Sequence, residues 1–466
     1  MVDSESKPGE KNSRLRRAQR YAQVGAGVGG VAIRAAGTRL FGFSPDKYKE
    51  AAELRAALGG LKGPIMKVAQ MLATIPDLVP PEYADELRQL QSSAPAMGWP
   101  FVKRRMSAEL GEGWQKRFAE FGHEAAAAAS LGQVHKAKLP DGRLVACKLQ
   151  YPDMASAVEA DLKQFKLLLA LHKRMDTAID TSEVAVEIGA RLREELDYSL
   201  EARHTALYRL ILEDEPGIRV PDIISELSTK RLLTMSWLEG RPLLKFAQDQ
   251  PQEVRNHIGD IMFRAWWHPF HRFGAVHGDP HLGNYSVYGE GHNSGINLLD
   301  YGCIRTFAPK FIGGVVDLYH ALERNDIELA VHAYETWGFR GLKREVIEAL
   351  NIWAHFIYGP MLEDRVRSIA DGISPGEYGR KEAFTVHRKL RQLGPVKPPR
   401  EFVFMDRAAI GLGGVFLHLG AELNFHRLFN IAIEDFSLGR IAENQRVAFG
   451  AAGVPLPNPD GDGSAD

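Results

Sequence analysis

Apolar positions keep a helical rhythm over most of this chain and switch to strand-like runs in a few short places. From Pro45 to Leu90 a broad apolar face passes through 51–61, Ile65, Met66, Val68, Ala69, Met71 and Leu72. Pro76, Pro80 and Pro81 interrupt it before a second helical run over 82–90. Near Phe118 the texture changes. Residues 134–139 and 144–150 flank Asp141-Gly142, which predicts a hairpin with a tight turn. Helical runs are expected over 154–175 and 182–206, and strand-like residues return at 218–221 and 231–237. Beyond Phe246 the pattern is helical except for two apolar runs, 274–276 and 296–299, with a hairpin-sized insert (288–295) between them. The pattern predicts an α+β, bilobal architecture, with a small mixed sheet and helix lobe over 116–240 and a mostly helical lobe over 241–454. A basic leader (1–44), a helical extension (45–115) and a disordered tail (455–466) complete the division. No internal repeat is evident.

Composition narrows the classes. At 466 residues the chain is too long for one compact core. A formal net charge of −1 gives no pull toward nucleic acid. The two cysteines, Cys147 and Cys303, make no metal-ligand spacing and no disulfide framework, which fits a reducing compartment. No stretch reaches the ~20 uninterrupted apolar residues of a membrane-spanning helix. The longest apolar stretch beyond the leader, 408–425, is broken by His418, Glu422 and Asn424. A soluble or peripheral protein is therefore expected. Lys11, Arg14, Arg16, Arg17, Arg20, Arg34 and Arg39 lie among small apolar residues, and such a segment suits an anionic membrane surface, where each cation contributes about 1 kcal/mol. It also suits a solvated, partly helical leader.

Two segments carry chemistry: Val-His-Gly-Asp-Pro-His-Leu-Gly-Asn at 276–284 and Leu-Leu-Asp-Tyr-Gly at 298–302. Phosphoryl-transfer sites use one loop whose Asp accepts the acceptor hydroxyl's proton and whose Asn, five positions on, holds metal, and a second Asp before an aromatic-Gly pair that holds the metal bridging the phosphates. These roles fall to Asp279, Asn284 and Asp300. His277 reads as a packing and orienting residue. Lys148, in Val-Ala-Cys-Lys, suits the lysine that reaches the phosphates, and Glu201 on the following helix is its candidate partner. The phosphate loop itself is unusual: Ala125 to Ala129 and then Ser130, Leu131, Gly132 and Gln133 stand where a glycine-rich loop is common. Alanine cannot take positive φ freely or approach the phosphates as closely as glycine, so nucleotide should sit differently. The lobe connection is expected through 233–238, with adenine against the backbone around Met235 and Trp237.

Together these motifs resemble the UbiB/AarF family of atypical kinase-like proteins, associated with ubiquinone biosynthesis, over roughly 45–440. The family's Ala-rich loop and Ser-Ile-Gly-Gln-Val-His correspond to Ala127, Ala128, Ala129, Ser130, Leu131, Gly132, Gln133, Val134 and His135. Its lysine strand corresponds to 147–152, its Glu-x-Asp signature to Glu195 and Asp197, and the nucleotide-lysine partner to Glu201. The second proline of His-Gly-Asp-Pro-His-Pro-Gly-Asn is Leu282, and Tyr301 stands for the Phe of Asp-Phe-Gly. The family's Lys-x-Gly-Gln element corresponds to Lys67 and Gln70, with Ala69 in place of glycine. The resemblance implies a bilobal protein-kinase-like fold with a family-specific N-terminal helical extension. It also implies that this helix crosses the active site, where Lys67 meets Glu195 and Asp197 and impedes phosphoryl transfer to proteins.

The expected function is an ATP-binding, Mg2+-dependent atypical kinase or ATPase supporting isoprenoid quinone biosynthesis. Expected partners are ATP, an anionic membrane surface, isoprenoid lipids and quinone-biosynthesis proteins, with no nucleic acid. The expected location is the bacterial cytoplasm, peripheral on the inner membrane, in preference to a mitochondrion. Two other readings are compatible with the chain: a small-molecule kinase of the antibiotic or choline kinase type, whose members also carry His-Gly-Asp loops, and a non-catalytic, nucleotide-gated lipid-binding scaffold.

Overall fold

The computed structural model describes residues 97–458, apart from 130, 153, 160–161, 164–188, 191, 374–378, 380–381, 383–384, 387 and 390–399. Lys67, Gln70, the leader and Ser130 lie outside the described residues, as do most of 45–115 and of the tail. The described residues open with α1 (Trp99–Leu110), which has Pro100 in its first turn and stops at Gly111. A five-stranded antiparallel sheet follows. Its strands are β1 (Glu120–Phe121), β2 (Ala127–Ala129), β3 (Gly132–Lys138), β4 (Leu144–Gln150) and β6 (Leu232–Ser236), in the order β1-β3-β4-β6 with β2 also on β3. The expected Asp-Gly turn joins β3 and β4, with Gly142 at φ 88°. That turn pairs Val134 with Lys148 and Gln133 with Leu149.

Because side chains alternate across a strand, this register decides which residues share a face. Cys147, Leu149 and Val145 turn to one side and pack with Val102, Met106, Trp114 and Phe118 under α1. Lys148 and Ala146 turn to the other side with Leu233 and Met235, beneath α2 (Tyr198–Ile211). The helical run expected over 182–206 is broken here. Residues 192–194 are helical, 195–196 turn, and α2 begins afresh with Asp197 as its N-cap, accepting the Ser199 and Leu200 amides at 3.0 and 3.2 Å.

The larger lobe starts with β5 (Ile218–Arg219), β7 (Arg241–Pro242) and α3 (Leu243–Asp249), followed by the long α4 (Gln252–Phe273). Gly274 ends α4 in the left-handed region at φ 61° and turns the chain into β8 (Ala275–His277). Strands β9 (Tyr285–Tyr288) and β10 (Gly295–Leu298) form the hairpin around the expected insert, and β10 also pairs in parallel with β5. A short β11 (Ile304–Thr306) pairs with β8. The remainder is helical: α5 (Pro309–Arg324), α6 (Ile327–Thr336), α7 (Arg344–Leu362), α8 (Arg400–Leu419), α9 (Phe425–Ile433) and α10 (Leu438–Ala452). One continuous apolar core runs from α2 through α4 and the short strands to α10. Buried Gln445 of α10 ties the two strands of the β8–β11 pair together at one end, its Nε2 donating to Phe273 O (2.9 Å) and Phe307 O (2.8 Å).

Gly132 shows how tightly the small lobe closes. A Cβ there would lie 2.8 Å from the Tyr198 hydroxyl and closer still to the Leu149 carbonyl, a backbone atom held in the sheet. Gly132→Ala should therefore lower stability by on the order of 2 kcal/mol, read as an earlier urea midpoint at unchanged slope. An unchanged midpoint would show that β4 and α2 yield at this point.

Candidate active site

The two lobes meet at Lys148. Its Nζ lies 2.6 Å from Glu201 Oε1 and 3.0 Å from Asp300 Oδ2, so β4, α2 and the segment after β10 converge on one ammonium. The Lys148 side chain is 10% exposed and Glu201 3%, whereas Asp300 at 38% keeps an edge open to the cleft. Burial works against the charged lysine, yet Asp300 and Glu201 outweigh it and hold the ammonium well above the usual lysine range. Burial also raises Glu201, to about 7, against the pull of Lys148. For Asp300 the penalty of burial is overcome by Lys148 and by the Gly302 amide, which donates to Oδ1 at 2.9 Å, so its carboxyl is held well below the usual range.

The loop opposite is held by hydrogen bonds from its own side chains and backbone. Asp279 N–H donates to His277 Nδ1 (3.3 Å), which leaves Nε2–H of the same ring to donate to the Asp300 carbonyl (2.6 Å). Asn284 Nδ2 donates to the Asp279 carbonyl (2.9 Å), an arrangement that turns its Oδ1 away as an oxygen donor. Tyr301 is buried beneath this loop, its ring centroid 6.2 Å from His277 and 5.3 Å from Tyr208 of α2. His204 Nδ1–H donates to the Tyr301 carbonyl (3.2 Å). Glu201 and His204, one helical turn apart, thus both hold the Asp-Tyr-Gly segment.

Oxygen donors from one carboxylate and one amide, facing a lysine that can meet phosphate, fit Mg2+, which takes few protein ligands and completes its shell with phosphates and water. Among the described residues no group of three or more His, Cys, Asp or Glu side chains is placed to hold a metal alone.

Other expected residues fall differently. Gln133 points to the face opposite Lys148, buried, where its Oε1 accepts Met97 N–H (2.5 Å) and its Nε2 donates to Met97 O (3.2 Å) and meets His135 Nε2 (2.8 Å). Its side chain fastens the chain before α1 to β3 and cannot line the nucleotide cleft. Gly132 abuts Leu149 and Tyr198, so close protein packing accounts for the glycine. Ala127, Ala128 and Ala129 form β2 beside β3, with Ala127 and Ala128 exposed. Met235 and Trp237 belong to the cleft-facing cluster with Val134 and Ala146. The Trp237 N–H is already given to Leu144 O (2.9 Å), so side chains rather than this amide form the apolar ceiling. Glu195 stands in the turn before α2 and Asp197 is the cap of α2.

Residues not singled out from the sequence also matter. Tyr198 is buried against Lys148, with the ammonium 5.3 Å from its ring centroid. Arg305 of β11 pairs with Glu194 at 2.8 Å, joining the strand beside the Asp279–Asn284 loop to the helical turn before α2. The Asp before Tyr198 is a helix-start signal, but nothing local marks Arg305.

Two lobes, a lysine paired across them and an Asp-Asn loop facing an Asp-Tyr-Gly segment define a kinase-like protein. Residues 89–333 match the ABC1 atypical kinase-like domain, and the chain belongs to that family. It is similar to the Saccharomyces cerevisiae protein "Atypical kinase COQ8, mitochondrial", 30% identical over 308 residues, 64% of this chain and 61% of that one. It also resembles the Xenopus laevis "AarF domain-containing protein kinase 1", 33% identical over 274 residues, 57% of this chain and 52% of that one. These alignments span between half and two thirds of the relatives' lengths. Among solved structures, the Mycobacterium tuberculosis Rv3197–erythromycin complex matches with a TM-score of 0.57 at 27% identity, covering 83% of this chain and 96% of that chain. The UbiB/AarF resemblance and the kinase-like fold expected from the motifs therefore hold. Among the described residues no helix is long and apolar enough to cross a membrane.

Burial pulls His204 down to about 4. An unfolded chain then binds a proton at this site below about 6.5 that the folded chain does not accept until near 4, so stability should rise with pH across that window. Unfolding curves from pH 7.5 to 4.5 should show His204→Asn losing on the order of 2 kcal/mol less than wild type on acidification. Equal losses would exclude His204 as a source. Asp300→Asn should weaken Mg-nucleotide binding at least about tenfold and Asp279→Asn should leave it within about twofold. Calorimetric titration distinguishes the two, and equal losses would overturn the division of roles.

Proposed function

We propose that this protein binds Mg-ATP in the cleft between its lobes and turns it over, in support of isoprenoid quinone biosynthesis. The observation that carries this reading is the Lys148–Glu201–Asp300 cluster directly across from the Asp279–Asn284 loop. In it Lys148, neutralised from behind by Glu201, meets the phosphates, while Asp300 and Asn284 supply oxygen ligands for Mg2+. Asp300 and Asn284 would hold Mg2+ there, and the metal would supply positive charge to offset what develops on the phosphates. Asp279, with its backbone held on both sides, receives the proton of the attacking hydroxyl or water. Val134, Ala146, Met235 and Trp237 offer the base an apolar ceiling.

Phosphoryl transfer to proteins is suppressed in this reading. Protein kinases carry a long activation segment after the metal-binding Asp, with a phosphosite that orders it. Here the chain passes from Gly302 into β11 at Ile304 and into α5 at Pro309, which leaves little room for a peptide platform. The quinone pathway is drawn from relatives bearing the COQ8 name, and a place at an anionic membrane from the basic segment between Lys11 and Arg39. A second reading, favoured by the similarity to a structure solved with erythromycin, makes a small-molecule hydroxyl the acceptor.

The test is Mg-ATP turnover by wild type and Asp279→Asn with and without anionic liposomes, following free phosphate and label in protein, lipid and added alcohols. Phosphate release that falls at least about 100-fold in the variant, without label transfer, is the expected result. Label in a small alcohol would replace it with the second reading. Nucleotide binding without turnover under every condition would leave only a nucleotide-gated scaffold.

A further inference from the structure

Helix α8 lies far along the chain from the catalytic loop but runs directly beneath it. A Cβ built on Gly411 would come 2.5 Å from Pro280 Cγ and 3.3 Å from Pro280 Cδ, both in a rigid ring rather than at the end of a flexible side chain. Neither partner has slack. On the α8 side, Ala408, Leu412, Val415 and Phe416 are buried in the core of the large lobe and fix the helix. On the loop side, the residue before Pro280 is Asp279, whose amide is held by His277 and whose carbonyl is held by Asn284. A displacement of the Pro280 ring must therefore be taken up at Asp279, between two fixed points.

We propose that Gly411 is a positioning residue for the catalytic loop. Its bare Cα is the seat on which the Pro280 ring rests, and this contact sets the distance of the Asp279 carboxylate from the acceptor. The proposal rests on the reading of Asp279 as the proton acceptor. Lys148 and Asp300 do not touch this contact, so nucleotide binding should be insensitive to it. Helix preference opposes the proposed effect: in α8 an alanine is favoured over glycine by up to ~1 kcal/mol, so a loss of turnover in Gly411→Ala could not be ascribed to a weaker helix. Among the described residues nothing lies within 4 Å of a Cβ built on Gly414 of the same helix, which provides the control.

The experiment measures phosphate release and Mg-nucleotide affinity for the full chain carrying Gly411→Ala, Gly414→Ala, Pro280→Ala, Asp279→Asn and the double change Gly411→Ala/Pro280→Ala, with thermal unfolding as the check on folding. A misplacement of about 1 Å is enough for a rate loss of up to about 100-fold, so Gly411→Ala should lower kcat at least about tenfold with nucleotide affinity within about twofold. Gly414→Ala should keep wild-type kcat. Pro280→Ala, which removes the ring from its seat, should cost a few-fold in kcat at unchanged affinity, and the double variant should return to the level of Pro280→Ala because the clash is gone. Wild-type turnover in Gly411→Ala, a parallel loss of affinity, or no recovery in the double variant overturns the proposal. If Gly411→Ala does not fold, a Pro280→Ala protein with wild-type kcat overturns it equally. Should Asp279→Asn itself turn over normally, the functional reading fails instead, and the two failures are told apart by that variant alone.

Discussion

Everything in the cleft is organised around one buried ammonium. Lys148, carried by the small-lobe sheet, sits where helix α2 and the segment after β10 approach it, and each of these two supplies a carboxylate to it. A lone charge at that depth would be costly, and so would either carboxylate without it. The ion cluster therefore makes lobe closure and site assembly a single event. Removing Lys148 would leave two carboxylates close together without the cation between them. The same constraint explains why α2 begins where it does: Asp197 caps it at the one place that lets Glu201, a turn inside, point at Lys148.

The loop across the cleft is organised differently, through the backbone. The His277 ring accepts the Asp279 amide at Nδ1 and gives its Nε2–H to the carbonyl of Asp300. It thereby links the Asp279–Asn284 loop to the Asp300-Tyr301-Gly302 segment. Asn284 and Gln445 extend the principle, tying carbonyls of neighbouring segments by side-chain amides that are indifferent to pH.

Much of this was legible in the sequence because it is local. The spacing of Asp279 and Asn284, the aromatic-Gly pair after Asp300, and the hairpin turn at Asp141-Gly142 are short-range patterns with narrow physical meaning. What escaped depends on register or on long-range contact. Gln133 looked like a phosphate-loop residue, but the pairing of Val134 with Lys148 puts it on the other face, and that pairing is set by a turn several residues away. The helical periodicity through 182–206 hid the break at 195–197, since apolar spacing continues across it and the cap was the only signal. Tyr198 lay beside a recognised motif with no pattern of its own. Gly411 had none at all, because its partner Pro280 is distant in sequence and nearby only in the folded chain.

The Asp300-Tyr301-Gly302 segment carries a pharmacological consequence. Its aspartate is held by Lys148 and Gly302, its carbonyls by His277 and His204, and its tyrosine is sealed into the core against Tyr208. Ligands that require this segment to swing outward would have to uncover a buried aromatic and break that whole set of bonds. Compounds that occupy the apolar ceiling and leave the segment in place face no such barrier, and chemistry aimed at this cleft should begin from rigid, flat ligands of that kind.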